Sequence, residues 1–335
     1  MANTKTRVAI NGFGRIGRAA FKILLDKKKY EVVAINDLAP VESLAYLLKY
    51  DTVYGIYPKK ISDSGNNIIV NNKKFHVTAQ ADARKLPWKK LKVDVVLEST
   101  GHYVKDGKAA AHLKAGAKRV IISAPAKGGG NVDTFLLGVN NKEYKNQRVI
   151  SNASCTTNCI APVAQILVSK FGVAKAMMTT IHSYTGDQGL VDAPHRDPRR
   201  GRAAAMNLVP TTTGAAVATA AVIPELKGLF DGMAIRVPTV VCSLSDFTFL
   251  LKKDVTVKQI NNALTAASKQ LRYKGILGVT DEPVVSSDFI GDPRSSIVDL
   301  SMTKVVGGNM VKIIAWYDNE WGYSVRLVEM IDQIK

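Results

Sequence analysis

The sequence feature that most constrains the fold is a glycine-rich turn near the start of the chain, Gly12-Phe13-Gly14-Arg15-Ile16-Gly17. A short apolar run, Arg7 to Ile10, precedes this turn, and Arg18 to Lys27 follow it with apolar residues on one side. A second apolar run, Val32 to Ile35, then leads into Asp37. This order of strand, glycine turn, helix and strand predicts a βαβ unit, and therefore a parallel sheet.

Each part of this turn suits the binding of a dinucleotide. Gly12 permits a tight turn, Gly14 lets the backbone approach a pyrophosphate, and Gly17 lets helix and strand pack closely. The N–H groups at the helix start attract the phosphates. Asp37, twenty residues after Gly17, would accept hydrogen bonds from a ribose diol and repel a 2′-phosphate, which favours NAD over NADP. The alternative is a structural glycine turn with Asp37 as a surface cap.

Alternating strands and helices continue to about residue 150, as a doubly wound sheet requires. Apolar runs at 93–97 and 119–122 predict buried strands, and 105–115 predicts a helix that Gly116 ends. Beyond Cys155 the pattern changes, and the predicted elements are helices at 156–170 and 257–273, strands at 176–182, 233–238 and 244–251, and an amphipathic helix at 321–334.

The composition excludes some classes of protein. A chain of 335 residues suggests two domains. Its apolar stretches, such as Ala215 to Ile223, are shorter than the roughly 18 residues of a membrane span, and Met1 to Lys5 lack the apolar core of a signal peptide. We therefore expect a cytoplasmic protein. The three cysteines lack a metal-type Cys-x-x-Cys spacing, so we expect free thiols and no metal site.

The net charge of +18 is unusual. It is compatible with nucleic-acid binding, with attraction of anionic metabolites, or with a basic surface that only faces water. The lysines are scattered in short runs, and there is no basic tail. Charge alone does not decide among these interpretations.

A candidate nucleophile lies where a strand-like segment gives way to a helix. Cys155, within Ser154-Cys155-Thr156-Thr157-Asn158, would lie at a helix N-terminus, where the dipole lowers the pKa of a thiol. The free N–H groups there could also hold an oxyanion. Cys159 and Cys242 are better explained as small buried apolar residues.

A nucleophilic thiol needs a base or a cationic partner. Of the five histidines, His182 ends a strand-like run and is favoured over His195, which lies in a long polar segment, 183–208. Loops of that length are usually functional or are ordered by a partner chain.

The chain resembles the phosphorylating glyceraldehyde-3-phosphate dehydrogenases across essentially its whole length. The motifs that carry the resemblance lie at 10–18, 151–158, 182–185, 210–216, 236–239 and 316–323. The resemblance implies an α/β protein with a doubly wound parallel-sheet Rossmann domain and an α+β catalytic domain whose sheet is mixed and mostly antiparallel. It implies an NAD-binding domain at 1–154, completed by a C-terminal helix at 320–335, and a catalytic domain at 155–319.

The resemblance also implies roles for individual residues. Cys155 corresponds to the nucleophile and His182 to its base. Thr185 and Arg236 correspond to residues that hold the phosphate of the substrate. The attacking inorganic phosphate would contact Ser154, Thr156, Thr213 and Gly214, with Arg200 nearby. Cofactor contacts would come from Gly12, Gly14, Arg15, Ile16, Gly17, Asp37, Ser123 and Asn319.

The implied reaction oxidises D-glyceraldehyde 3-phosphate with NAD and inorganic phosphate, through a thiohemiacetal and a thioester on Cys155, to 1,3-bisphosphoglycerate. This is a reaction of glycolysis and gluconeogenesis. The segment 183–208 corresponds to a loop that borders the cofactor of a neighbouring subunit, so the resemblance implies a homotetramer.

Some positions depart from the family pattern. Ala81 replaces a basic residue of many relatives, which puts a contact to the adenosine in doubt. Ala193 follows the pattern of relatives that use both cofactors and Pro194 that of NAD-only relatives, so use of NADP is not excluded. An erythrose-4-phosphate dehydrogenase, and a basic protein with an additional nucleic-acid-binding role, remain as alternatives.

Overall fold

A computed structural model describes residues 5–334 of the chain. The first four residues and Lys335, the end of the predicted C-terminal helix, lie outside the described residues. The contacts divide the chain into two compact units. Unit 1 consists of the described part of Met1–Phe135, Glu143–Ala153 and Ser324–Lys335, and unit 2 of Leu136–Lys142 and Ser154–Tyr323.

Unit 1 is built on a sheet that has nine strands within the described residues. Its strands and those of a separate small hairpin (β3 and β4) are β1 (Thr6–Asn11), β2 (Tyr30–Asn36), β3 (Tyr50–Asp51), β4 (Gly55–Ile56), β5 (Ile61–Ser64), β6 (Asn67–Val70), β7 (Lys73–Thr78), β8 (Val95–Glu98), β9 (Arg119–Ile122), β10 (Asp133–Thr134) and β11 (Val149–Ser151). Its first three helices are α1 (Arg15–Leu25), α2 (Val41–Lys49) and α3 (Ala111–Lys114).

The strand order of the large sheet is β10-β11-β9-β8-β1-β2-β7-β6-β5. All pairings from β10 to β7 are parallel, and the hairpin strands β6 and β5 are antiparallel. The chain runs from β1 towards β7 and later returns to β8 on the other side of β1, so the carboxyl ends of β1 and β8 form a topological switch point, where such sheets bind ligands. The predicted doubly wound parallel sheet is confirmed.

The local sequence explains most of these elements. Val8, Ala9 and Ile10 are fully buried in β1, as the apolar run predicts. The predicted helix at 105–115 is wrong in its first three residues. Asp106 and Gly107 have φ angles of 53° and 67°, in the left-handed region, so helical structure begins only at Lys108 with a 3-10 turn that continues into α3. Gly116, with φ of 104°, ends it as predicted.

Unit 2 contains a sheet that has seven strands within the described residues, in the order β13-β14-β12-β15-β18-β17-β16. The strands are β12 (Val173–Ser183), β13 (Val209–Thr212), β14 (Phe230–Val237), β15 (Ser243–Leu251), β16 (Leu277–Thr280), β17 (Ser296–Val306) and β18 (Met310–Tyr317). Its helices are α4 (Cys155–Phe171), α5 (Ala215–Val222) and α6 (Val257–Ser268). The C-terminal helix α7 (Trp321–Ile334) belongs to unit 1 from Ser324 onward.

Four of the six strand pairings in this sheet are antiparallel, and β12 with β14 and β16 with β17 are parallel. The mixed, mostly antiparallel sheet is therefore confirmed. The predicted helix at 257–273 is too long, because α6 ends at Ser268 and only a short 3-10 turn, Leu271–Tyr273, follows. Within residues 5–334, no helix combines the length and apolar character that crossing a membrane requires.

Candidate active site

Cys155 is the first residue of α4, as the sequence predicts. Ser154 caps this helix, since its Oγ accepts a hydrogen bond from the backbone N–H of Thr157 at 3.1 Å. The Cys155 side chain is half-buried, whereas Cys159, one turn later, is fully buried. Cys155 is therefore the thiol of α4 that a small molecule can reach.

His182 stands at the end of β12 and faces this thiol. Its Nε2 lies 3.5 Å from Sγ of Cys155. Its Nδ1 lies 2.7 Å from the carbonyl oxygen of Ser183, which can only accept a hydrogen bond. Nδ1 also lies 3.0 Å from Nη1 of Arg236, which can only donate. In the tautomer that carries its proton on Nδ1 and donates to Ser183, the lone pair of Nε2 faces the sulfur. His195 contacts Asp197 and Asp187 of its own loop instead.

The surroundings keep His182 neutral. Its side chain is only 5% exposed, and burial lowers its pKa to about 3, with a further lowering from the positive charges of Arg236 and Arg200. A neutral imidazole at pH 7 can accept a proton, which is the property that a general base needs.

The expected lowering of the Cys155 pKa is wrong for this structure. Burial raises the pKa of the thiol, and the charge of Arg236, the hydroxyl of Thr156 and backbone N–H groups oppose that rise without overcoming it. The sequence reveals the helix N-terminus but not the burial. The resting pair is thus a neutral thiol beside a neutral imidazole.

Arg236 reaches the pair from the adjacent strand. Parallel pairing of β12 with β14 places Arg236 directly beside His182 in register. Its Nη1 donates to the carbonyl of Ser183 at 3.0 Å and to Oγ1 of Thr185 at 3.4 Å. Its Nε is buried without a hydrogen-bond partner, and no carboxylate among residues 5–334 pairs with it. A buried guanidinium that lacks a carboxylate partner favours the binding of an anion.

Arg200 belongs to the loop 183–208, of which residues 184–208 form neither helix nor strand. Its guanidinium pairs with Asp187 at 2.5 Å and with Asp197 at 3.6 Å, and it donates to Thr211 Oγ1 and to the Thr212 carbonyl. Arg200 is therefore held in one place by the loop. The positive charge of Arg200 lowers the pKa of His182 and that of Arg236, so Arg200 contributes to the electrostatics of the site.

The hydroxyl groups predicted to bind phosphate already have partners within the protein. Ser154 caps α4, and Thr156 Oγ1 lies 3.0 Å from the hydroxyl of Tyr317. Thr213 Oγ1 accepts from the N–H of Ala215 at 3.2 Å. Gly214, the N-cap of α5, has open space where a side chain would stand.

Two contributors were missed from the sequence. The hydroxyl of Tyr317, a residue 1% exposed, lies between Thr156 Oγ1 at 3.0 Å and Thr180 Oγ1 at 2.8 Å, and its ring meets that of His182 edge-on. Ser243 accepts from the Ser183 N–H and donates to Oδ1 of Asn319. The period-2 alternation of β18 was the only signal that could have marked Tyr317 as buried.

The predicted cofactor residues of unit 1 gather at the switch point of its sheet. Gly12 has φ of 91°, and a Cβ there would meet the backbone at Ser99 and Thr100 at 2.8 Å. A Cβ on Gly17 would stand 2.1 Å from the carbonyl oxygen of Gly12, whereas one on Gly14 would meet nothing within 4 Å. The helix start at Gly14 has no side-chain cap, so its N–H groups remain available to a phosphate.

Asp37 fixes this loop as well as facing solvent. Its Oδ2 accepts from the Phe13 N–H at 2.7 Å and its Oδ1 from the Ala39 N–H at 3.0 Å. A carboxylate has about four lone-pair sites, so acceptors remain for a ribose diol. Arg15, the first residue of α1, pairs with Asp51. Ile16 in the same helical turn and Ser123, which directly follows β9, are half-buried. These residues fit a dinucleotide.

Comparison with known proteins agrees with both sites. The model of the glyceraldehyde 3-phosphate dehydrogenase NAD binding domain matches residues 6–106, and that of the C-terminal domain matches 154–319. The chain belongs to the glyceraldehyde 3-phosphate dehydrogenase family. The predicted resemblance is thereby confirmed.

Curated relatives cover almost the full chain. A glyceraldehyde-3-phosphate dehydrogenase of Geobacillus stearothermophilus is 53% identical over 327 residues, which is 97% of this chain and 96% of the relative. One from Zymomonas mobilis is 51% identical over 332 residues, 98% of each chain. Glyceraldehyde-3-phosphate dehydrogenase 1 of Bacillus cereus is 52% identical over 327 residues, 97% of each.

Proposed function

We propose that this member of the glyceraldehyde 3-phosphate dehydrogenase family oxidises D-glyceraldehyde 3-phosphate with NAD and inorganic phosphate to 1,3-bisphosphoglycerate. The observation that carries the proposal is the approach of His182 Nε2 to Cys155 Sγ at 3.5 Å, beside a buried Arg236 that has no carboxylate partner in the described part of the chain. A thiol, a neutral base and an unpaired cation together suit a phosphorylated aldehyde.

In the first step the Cys155 sulfur attacks the aldehyde carbon and a thiohemiacetal forms. His182 Nε2 takes up the thiol proton as attack proceeds, so the raised pKa of Cys155 does not prevent reaction. The N–H groups at the start of α4 stabilise the developing oxyanion. The protonated His182 returns this proton to the oxyanion, which completes the thiohemiacetal hydroxyl and leaves the imidazole neutral. Its Nε2 then accepts the hydroxyl proton as the carbon is oxidised to a thioester.

Bound NAD would supply the hydride acceptor that this oxidation requires. We propose that Gly12, Gly14, Arg15, Ile16, Gly17, Asp37 and Ser123 hold its phosphates and adenosine portion, and that Asn319 holds the carboxamide. The Oδ1 of Asn319 is occupied by Ser243, so its amide NH2 is the group free to donate.

In the second half-reaction an oxygen of inorganic phosphate attacks the thioester carbon, the C–S bond breaks and the Cys155 thiolate leaves. We propose that Thr185 and Arg236 hold the phosphate of the substrate. The backbone start of α5 at Gly214 and Thr213, together with Ser154, Thr156 and Arg200, would hold the attacking phosphate. Because the hydroxyls have internal partners, their contribution requires an exchange of hydrogen bonds.

We also propose a homotetramer in the cytoplasm. Its NAD-binding domain would be 1–154 with 320–335, which unit 1 covers except for 136–142, 154 and 320–323, and its catalytic domain would be 155–319. The loop 183–208 supports assembly, since its apolar side chains are strongly exposed in the single chain: Leu190 81%, Val191 69%, Met206 81% and Leu208 69%. All three cysteines are free thiols, which suits a reducing compartment.

Reduction of NAD in the presence of glyceraldehyde 3-phosphate, with and without inorganic phosphate, tests this function. We expect NADH formation to stop after one equivalent per site when phosphate is omitted. Erythrose 4-phosphate serves as the comparison substrate. Undiminished turnover without phosphate, or preference for erythrose 4-phosphate, would replace the proposal with the alternative dehydrogenase.

A further inference from the structure

A cavity of about 710 Å³ opens at the amino ends of the parallel strands of unit 1. It lies at the starts of β1, β8, β9 and β11, so it faces away from the carboxyl edge where the glycine turn stands. We call it the amino-end cavity. Its lining residues are Lys5, Thr6, Arg7, Lys92, Asp94, Val95, Lys118, Arg119, Asn146 and Arg148.

The lining carries six basic side chains and one acidic side chain. Arg7 pairs with Glu31 at 2.8 Å and Lys118 with Asp94 at 2.7 Å. The other four basic side chains have no carboxylate partner within residues 5–334, and they are Lys5, Lys92, Arg119 and Arg148. Unneutralised cations around a concave surface raise the local positive potential and attract anions.

Two of these side chains are held in place before any ligand arrives. Arg148 donates through Nε to the Lys118 carbonyl at 3.2 Å. This bond does not use the two terminal nitrogens of its guanidinium. Arg119 is clamped by Asn146, whose Oδ1 accepts from Nη2 at 2.5 Å and whose backbone carbonyl accepts from Nη1 at 3.5 Å, so Arg119 contributes mainly its charge. The guanidinium of Arg148, anchored through Nε, offers a planar pair of donors that matches a phosphate, with less side-chain entropy to lose on binding.

We propose that the amino-end cavity binds a small anion that carries several phosphate groups. Val95 is the only apolar residue of the lining, and no aromatic ring faces the cavity, so a base or sugar ring would find no stacking surface. Recognition therefore rests on the phosphates. This site goes beyond the proposed dehydrogenase function and shares no residue with it.

Inorganic tripolyphosphate is a suitable probe, titrated calorimetrically into the full chain with NAD present. The Arg236→Gln background removes the main cation of the catalytic site, so the remaining isotherm reports the cavity. In that background the double variant Lys92→Gln/Arg148→Gln should bind at least about tenfold more weakly, because two charge-assisted contacts are lost. Higher salt should weaken the binding.

Lys74→Gln/Lys269→Gln is the matched control, since it removes two exposed lysines elsewhere and changes the net charge equally. We expect it to bind tripolyphosphate like the parent, and neither double variant in an otherwise unchanged chain to lose dehydrogenase turnover. Equal weakening in both doubles would overturn the proposal in favour of general surface charge. Binding of a single-stranded oligonucleotide that depends on Lys92 and Arg148, without binding of tripolyphosphate, would overturn it in favour of nucleic acid.

Discussion

Replacing His182 with glutamine isolates the role of the base. The substitution keeps a polar side chain of similar size but removes the lone pair that faces the Cys155 sulfur at 3.5 Å. A placed general base contributes roughly 10²–10⁴-fold to rate, or about 3–5 kcal/mol of barrier. The long contact favours the middle of that range, so we expect kcat to fall about 10³-fold with little change in NAD affinity.

The same variant should also slow alkylation of Cys155. In the parent, Nε2 can accept the thiol proton while the sulfur attacks, which a glutamine amide cannot do. At pH 7, where burial keeps Cys155 a neutral thiol, the rate of alkylation by iodoacetamide should therefore fall roughly 10²-fold.

His195→Gln is the matched control, because that ring contacts Asp197 and not the thiol. It should leave kcat within about threefold of the parent, as expected of a surface-loop change. An equal loss of kcat in the two variants, or an unchanged rate of Cys155 alkylation at pH 7 in His182→Gln, would refute the assignment of His182 as the base.

Three other substitutions test the two sites. Cys155→Ala should abolish turnover and leave NAD binding measurable, while Cys159→Ala stays active, because burial raises the Cys159 pKa to about 12; equal alkylation of both thiols in the parent would contradict this. Gly14→Ala should raise the KM for NAD about tenfold at an unchanged Tm, since a Cβ at this position meets no protein atom but would stand where the pyrophosphate approaches. Gly17→Ala should lower Tm by several degrees, because its Cβ would stand 2.1 Å from the Gly12 carbonyl oxygen. The reverse pattern would contradict the pyrophosphate role of Gly14. Asp37→Ser should raise kcat/KM for NADP relative to NAD about tenfold, and an unchanged ratio would assign cofactor choice to other residues.

Periodicity and turn chemistry were sufficient for much of the fold. The alternation of apolar runs with a glycine turn predicted the βαβ unit, because each signal acts over a few neighbouring residues. The helix at 105–115 was overestimated for the same reason. Apolar spacing favours a helix there, but Asp106 and Gly107 adopt left-handed backbone beside Gly130, whose atoms a Cβ on Gly107 would touch at 3.4 Å.

The sequence by itself determined that Cys155 starts a helix and that a dinucleotide turn precedes it. Only the tertiary structure decided which histidine meets the thiol, since β12 carries His182 back across 27 positions. It also decided the protonation of that pair, because desolvation sums over every neighbour, and strand register places Arg236 among them. The net charge of +18 is fixed by composition. The gathering of basic side chains in the amino-end cavity is a tertiary property, because it depends on the parallel strands of unit 1 beginning side by side.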